Sequence, residues 1–241
     1  MNRGQILTQI EKSKKYGGKF LSEPVCEEIL TSYDIPVPPS YLAKEVDEAV
    51  EFAKKIGFPV VLKIISPQII HKSDVGGVII NIEGEAKVRE AFTKILENIK
   101  SHNSKAKIDG IYVQKMVPPA REAIIGALKD GQFGQVIMFG LGGIFVEILK
   151  DVVFRVAPID KEEAREMIEE IKGLPILQGV RGEEPIDFVS LSKTIANVSR
   201  LVIDFPQIGQ LDINPVRVYP DGLYAVDARI ILEWNKSITS V

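Results

Sequence analysis

The chain is poor in the residues that usually announce a function: 241 residues carry one cysteine, two histidines and one tryptophan. A lone Cys26 cannot close an internal disulfide, which excludes a disulfide-stapled scaffold and fits a reducing compartment. Its place in a helical pattern reads as a small buried hydrophobe. Excess charge is also missing, since 30 basic residues stand against 33 acidic ones, interleaved, for a net −3. Such a chain has no long-range attraction for nucleic acid or an anionic membrane. The longest uncharged apolar run, residues 136–146, is too short to cross a bilayer and is broken by Gly140, Gly142 and Gly143. Residues 1–18 hold no continuous apolar stretch, so no signal peptide is expected, and no internal repeat or low-complexity segment occurs. A soluble, cytoplasmic protein is the expectation. At 45% hydrophobic composition the chain has enough apolar surface for a substantial core.

The pattern along the chain alternates helix and strand signals. Residues 1–21 are Lys-rich and weakly periodic, and are expected to be a helical extension with a joint at Gly17-Gly18. Ser22, Glu23 and Pro24 signal a helix start, and the helix runs to about Tyr33. Three prolines then forbid helix before a short strand at residues 41–43. Apolar spacing predicts a helix over 46–56 that stops at Gly57, then strand, loop and strand over 58–80, a helix over 85–100 and a strand over 110–117. After Pro118-Pro119 the chain reads as a hairpin turning at Asp130-Gly131, a strand over 151–159, and a helix opened by an Asp160/Glu163 capping box. A Gly- and Pro-containing loop follows, then a helix over 188–203 and a hairpin turning at residues 219–222. Two α+β lobes are expected, 22–117 and 118–241, beyond the extension 1–21.

Two stretches gather chemistry. In FPVVLKIISPQIIHKSDVGGVII, Lys63 shares a strand face with Val61 and Ile65, where a cation needs an anionic partner. His71, Lys72, Asp74 and Gly76-Gly77 follow, a combination that suits phosphate. A neutral imidazole is a good nucleophile toward phosphorus, and Asp74 is a candidate to hold one ring proton. The competing readings are a snorkelling surface lysine and an ordinary loop histidine. His102 falls in a polar run and is read as exposed. The terminal hairpin is the second stretch. Folded symmetrically about Pro220-Asp221, it sets Asn214 opposite Asp227 and Asp212 opposite Arg229, and oxygen ligands on adjacent strands suit Mg²⁺. A bulge at Gly222 would shift that register, and a solvated face is the plain alternative. Gly140, Gly142 and Gly143 are candidate phosphate-approach glycines or merely turn residues. Glu122 shares a face with Ile124 and Gly126, aimed at a cleft or paired in a surface salt bridge.

The motifs VVLKIISPQIIHKSDVGGV, VQKMVPPAREAIIGALKDGQFGQVIMFGLGGIFVEILKDVVFRVAPI and GQLDINPVRV with a later VDARI together resemble the ATP-grasp β subunit of the ADP-forming acetyl-CoA (acyl-CoA) synthetases. That family is a cousin of the succinyl-CoA synthetase β chain. The likeness runs over about residues 20–232. It implies an ATP-grasp fold with two lobes closing on a nucleotide, and the conversion of acetyl-CoA, ADP and phosphate to acetate, ATP and CoA. It further implies a companion CoA-binding α subunit, two copies of each subunit, and a phosphoryl group relayed through a histidine here. By motif, His71 corresponds to that phosphohistidine, Lys63 to the lysine on the nucleotide phosphates, and Asn214 with Asp227 to the Mg²⁺ ligands. Asp212 is the acidic neighbour in the same motif. Gln114, Lys115, Met116 and Val117 correspond to the strand whose backbone borders adenine, and Glu122 to an acidic position of the ATP/ADP pocket. The CoA site of the family finds no counterpart. An ATP-grasp ligase lacking a phosphohistidine and a nucleotide-binding regulatory subunit are the rival readings.

Overall fold

The computed structural model describes residues 1–15, 18–69, 71–143, 150–180 and 182–234. The chain forms two compact units, one of Met1–Val37 with Pro119–Val241 and the other of Pro38–Pro118. The first boundary differs from the expected one: residues 22–37 belong with the C-terminal half. Two helices account for it. In α1 (Arg3–Lys15), Ile6 and Ile10 lie one turn apart and are 1% and 0% exposed, so this segment is core and not an appended extension. In α2 (Glu23–Ser32), Cys26, Ile29 and Leu30 are buried in the same apolar cluster. Between the helices, Phe20 bridges Ile231, Leu21 N–H donates to Ile230 O at 3.1 Å, and Leu232 N–H donates to Lys19 O. The N-terminal stretch is thereby tied to residues two hundred positions later.

The unit Pro38–Pro118 is a four-stranded antiparallel sheet with two helices on one face. Strand β1 (Ser40–Ala43) leads into α3 (Val46–Ile56), which ends at Gly57 as the apolar spacing predicts. Strands β2 (Val60–Ile65) and β3 (Val78–Ile82) pair antiparallel, α4 (Glu85–His102) follows, and β4 (Gly110–Lys115) completes the order β1-β4-β2-β3. One face of the sheet (Leu62, Ile64, Ile111, Val113) interlocks with Ala49, Ala53, Phe92 and Ile95 of the helices as one core. His102 lies exposed in the last turn of α4.

The larger unit carries a six-stranded antiparallel sheet. Strands β5 (Arg121–Asp130) and β6 (Gly134–Leu141) form the expected hairpin, with the Asp130 carboxylate accepting from the Gln132 and Phe133 amides at 2.7 and 2.9 Å. Strand β7 (Val152–Val156) adds at the β6 edge. Helix α5 (Lys161–Glu170) opens with the predicted capping box: Asp160 accepts from Glu163 N at 2.9 Å and Glu163 from Asp160 N at 3.2 Å. A short helix α6 (Leu174–Gln178) stands where only a loop is expected, since Pro175 sits harmlessly in its first turn. Helix α7 (Phe188–Asp204) precedes β8 (Ile208–Tyr219), β9 (Gly222–Ala225) and β10 (Ala228–Leu232). The order is β10-β8-β5-β6-β7, with β9 also on β8, and one sheet face packs on the helices.

Candidate functional site

The unit Pro38–Pro118 positions the first set of residues. Alternation along β2 sends Leu62 and Ile64 to the helices, so Val61, Lys63 and Ile65 take the opposite face. Across to β4, Lys63 is opposed by Tyr112 and Val61 by Gln114, and Ser40 lies opposite Gln114 on the other side. Lys63 is 7% and Gln114 1% exposed, a cation and an amide set in one sheet face remote from the apolar core. The Lys115 ammonium donates to the carbonyls of Gly57 and Phe58, at 2.8 and 3.1 Å, and so caps the α3–β2 connection, which leaves the expected role of its backbone beside the base untouched. Its amide donates to Pro39 O, the Met116 amide to Pro59 O, and the Met116 sulfur accepts from the Asn81 amide at 3.2 Å. Val117 is buried.

His71 lies exposed on the connection between β2 and β3. Asp74, also exposed, is in a 3₁₀ turn, Ser73–Val75. Gly76 then adopts φ +64°, the left-handed conformation that glycine tolerates. The chain closes through Gly76 N–H to Ser73 O at 3.1 Å and Gly77 N–H to Lys72 O at 2.7 Å, and Ile64 N–H donates to Gly77 O. The paired glycines are therefore required by the backbone and its packing, whatever is bound nearby.

The larger unit positions the second set. Asp212 faces Arg229, the Asn214 amide donates to Asp227 O at 3.1 Å, and Val216 faces Ala225. Tyr219 and Gly222 close a two-residue turn, so the symmetric register forms without a shift at Gly222. The return strand is interrupted at Val226-Asp227, where Val226 N–H donates to Pro215 O. On its other side β8 gains one residue against β5: Ile213 opposes Ile125, yet Val216 opposes Ala123. A proline in an interior strand is tolerated at such a bulge, and Pro215 lies in this one. The extra residue reverses the alternation. Ile213 and Val216 both enter the core, while Asp212 and Arg217 both reach the opposite face.

That reversal sets Arg217 opposite Glu122, with Nε to Oε1 at 3.3 Å. Arg217 is the site neighbour that strict alternation hides. The Asp212 carboxyl is raised above the usual range, first by the protein mass around it and then by the charge of Asp227, with Arg229 opposing. The outer edge of Asp212 is open to solvent, and a bound cation would relieve this crowding of two carboxylates. Among the described residues no group of three or more His, Cys, Asp or Glu side chains is arranged for a metal. The donors Asp212, Asn214 and Asp227 are all oxygen, and two carboxylates suit a hard ion that keeps most of its water. Gly140 and Gly142 have packing reasons of their own. A Cβ at Gly140 would sit 2.7 Å from Asp151 O, and the Gly142 amide donates to Glu122 O at 2.7 Å. The rest of the GLGGIFVEIL stretch, residues 144–149, lies outside the described residues.

An ATP-grasp domain model matches residues 12–232. The chain is 50% identical over 232 residues to acetate–CoA ligase (ADP-forming) I subunit beta of Pyrococcus furiosus, covering 96% of this chain and 100% of that one. It is 46% identical over 223 residues to acetate–CoA ligase (ADP-forming) I of Archaeoglobus fulgidus, covering 92% of this chain but 32% of that longer one. A solved structure of the dinucleotide-forming acetyl-coenzyme A synthetase 1 of Ca. Korarchaeum cryptofilum superposes with a TM-score of 0.85 at 45% identity, over 95% of this chain and 100% of that one. It holds coenzyme A and Mg-AMPPCP, with its phosphohistidine segment pointing towards the nucleotide binding site. The same enzyme with coenzyme A, acetyl-coenzyme A and a phosphorylated segment in its site I orientation superposes with a TM-score of 0.89 at 45% identity, over 95% and 100% of the two chains. The chain thus belongs to the ATP-grasp family, and within it to the β subunits of the ADP-forming acetate–CoA ligases.

Proposed function

We propose that this chain is the nucleotide-handling subunit of an ADP-forming acyl-CoA synthetase, which turns acetyl-CoA, ADP and phosphate into acetate, ATP and CoA. The observation that carries the reading is the exposed His71 on a loop closed by Gly76-Gly77, directly after the strand that holds a nearly buried Lys63. A relay needs a nucleophile that is accessible and a cation that is held in place, and the strand and loop provide one of each. A phosphoryl group arrives on an imidazole nitrogen of His71. The P–N bond then breaks as a terminal oxygen of ADP forms the new P–O bond, and ATP leaves.

Lys63 neutralises the phosphate charge, and the backbone of residues 114–117 borders the base. Asp212, Asn214 and Asp227 hold Mg²⁺, which when bound neutralises the phosphate oxygens of the nucleotide. Glu122, braced by Arg217, lines the nucleotide pocket. A companion CoA-binding subunit, two copies of each chain being assembled, carries out acyl transfer. The longer A. fulgidus relative, of which this chain spans about a third, supports that division. No helix among the described residues is long and apolar enough to cross a membrane, and we place the enzyme in the cytoplasm.

The test is His71→Ala in the assembled enzyme, with labelled ATP and Mg²⁺ followed by acyl-CoA turnover. Loss of both the acid-labile label and turnover is expected. Retained turnover would indicate a ligase that forms an acyl phosphate with no histidine intermediate. Nucleotide binding with no label in the wild-type enzyme would indicate a regulatory subunit.

A further inference from the structure

We infer that Asn98 and Gln68 are positioning residues for His71, fixing the two roots of the segment that carries it. The inference rests on the phosphoryl-relay reading above. It comes from two side-chain amides, Asn98 on α4 and Gln68 in the connection between β2 and β3 itself, each of which ties one end of that connection to a neighbouring part of the chain.

The closing root is held by α4. The Asn98 amide nitrogen donates to Gly76 O at 2.9 Å, and a Cβ at Gly76 would lie 2.5 Å from that nitrogen. Gly77 has no more room, since a Cβ there would meet Ile64 Cγ2 at 2.6 Å and Lys72 O at 2.9 Å. Asn98 thus grips the left-handed residue itself, and the next residue is wedged against β2. The opening root is held from the chain before β4. The Gln68 side-chain oxygen accepts the Lys107 amide at 3.0 Å, and beside it Ile69 is buried in the core of this unit. Between the roots His71, Ser73 and Asp74 are exposed.

A group that must present one nitrogen to two reaction centres needs a short arm on fixed mounts. An ångström of misplacement costs on the order of 10²-fold in rate. The core of the unit alone does not supply those mounts, because a carbonyl in a turn is satisfied equally by water. Asn98 exchanges that water for a bond to a helix, which sets the arm relative to Lys63 on the adjoining strand.

The experiment uses the full chain assembled with its CoA-binding partner. Variants Asn98→Ala, isosteric Asn98→Asp, Gln68→Ala and His71→Ala are compared for initial labelling from Mg-ATP, Mg-ATP dissociation constant, thermal midpoint and hydrogen exchange at residues 72–77. The Asn98 and Gln68 variants are expected to label about tenfold more slowly or worse, with the dissociation constant within about twofold. Exchange at 72–77 should quicken in the Asn98 variants. Asn98→Asp keeps the shape but loses the donor, so it should behave like Asn98→Ala. Wild-type labelling rates in both Asn98 variants would overturn the inference, as would slower labelling that only follows weaker nucleotide binding or a lower midpoint. Label in His71→Ala would instead overturn the relay itself. No label there, with normal rates in the Asn98 and Gln68 variants, would remove the positioning role and leave the relay standing.

Discussion

At the scale of single residues, the acidic ribbon and Lys63 each carry a charge whose energetics can be measured. Because the Asp212 carboxyl is raised, the folded chain binds more protons than the unfolded chain between the ordinary carboxylate value of about 3.9 and the raised one. Stability of the metal-free protein therefore falls as pH rises through that window. Mg²⁺ should reverse the trend, since it favours the ionised pair. Thermal melts from pH 4 to 7 with EDTA or Mg²⁺ check the sign, and Asp212→Asn should flatten both the pH dependence and the Mg²⁺ shift. Lys63→Met should weaken ADP binding by about 1.5–3 kcal/mol, the range for a charge-assisted hydrogen bond, without lowering the thermal midpoint. Calorimetry and melts on one preparation test both halves. How legible these residues were depended on strand parity. The period of two places Lys63 opposite the helix face, and the symmetric hairpin pairs Asp212 with Arg229. Arg217 was not legible, since one added residue at Asn214-Pro215 reverses the parity beyond it. The partners of the Lys115 ammonium were not legible either, because a motif shows which residue lies on a strand but not which carbonyls are within its reach.

At the scale of elements, local signals served where the helix ends carry their own chemistry. Helix α3 ends at its glycine, and α5 begins at Asp160. Removing that cap with Asp160→Ala should lower stability by about 1 kcal/mol, read from denaturant melts. Helix α1 forms where a helix is expected, but its place in the core was not legible, because its Lys-rich sequence hides a two-residue apolar stripe, Ile6 and Ile10, whose burial depends on strands far along the chain. Ile10→Ala should therefore cost roughly 2–5 kcal/mol, as a large-to-small change in a core does. An appended segment would tolerate it with no change in midpoint. The break between β9 and β10 was invisible for a related reason: it mirrors the bulge in β8, and no residue within the return strand signals it.

At the scale of the whole chain, the two units differ in how the sequence builds them. Pro38–Pro118 is one uninterrupted stretch with its own apolar core, and expressed alone it should melt cooperatively, as heat capacity or near-ultraviolet dichroism would register. The larger unit is assembled from two stretches separated by the smaller one. Helix α2 and the Phe20 bridge find sheet neighbours in β10, and Ala225 reaches back to Pro36 O. On the ribosome this imposes a schedule. Helices α1 and α2 emerge ahead of their sheet with their apolar stripes unpartnered, the uninterrupted unit is free to complete itself while they wait, and the arrival of β10 closes the larger one. The interval before that closure is when Ile6, Ile10, Cys26 and Ile29 are open to chaperones and to off-pathway association.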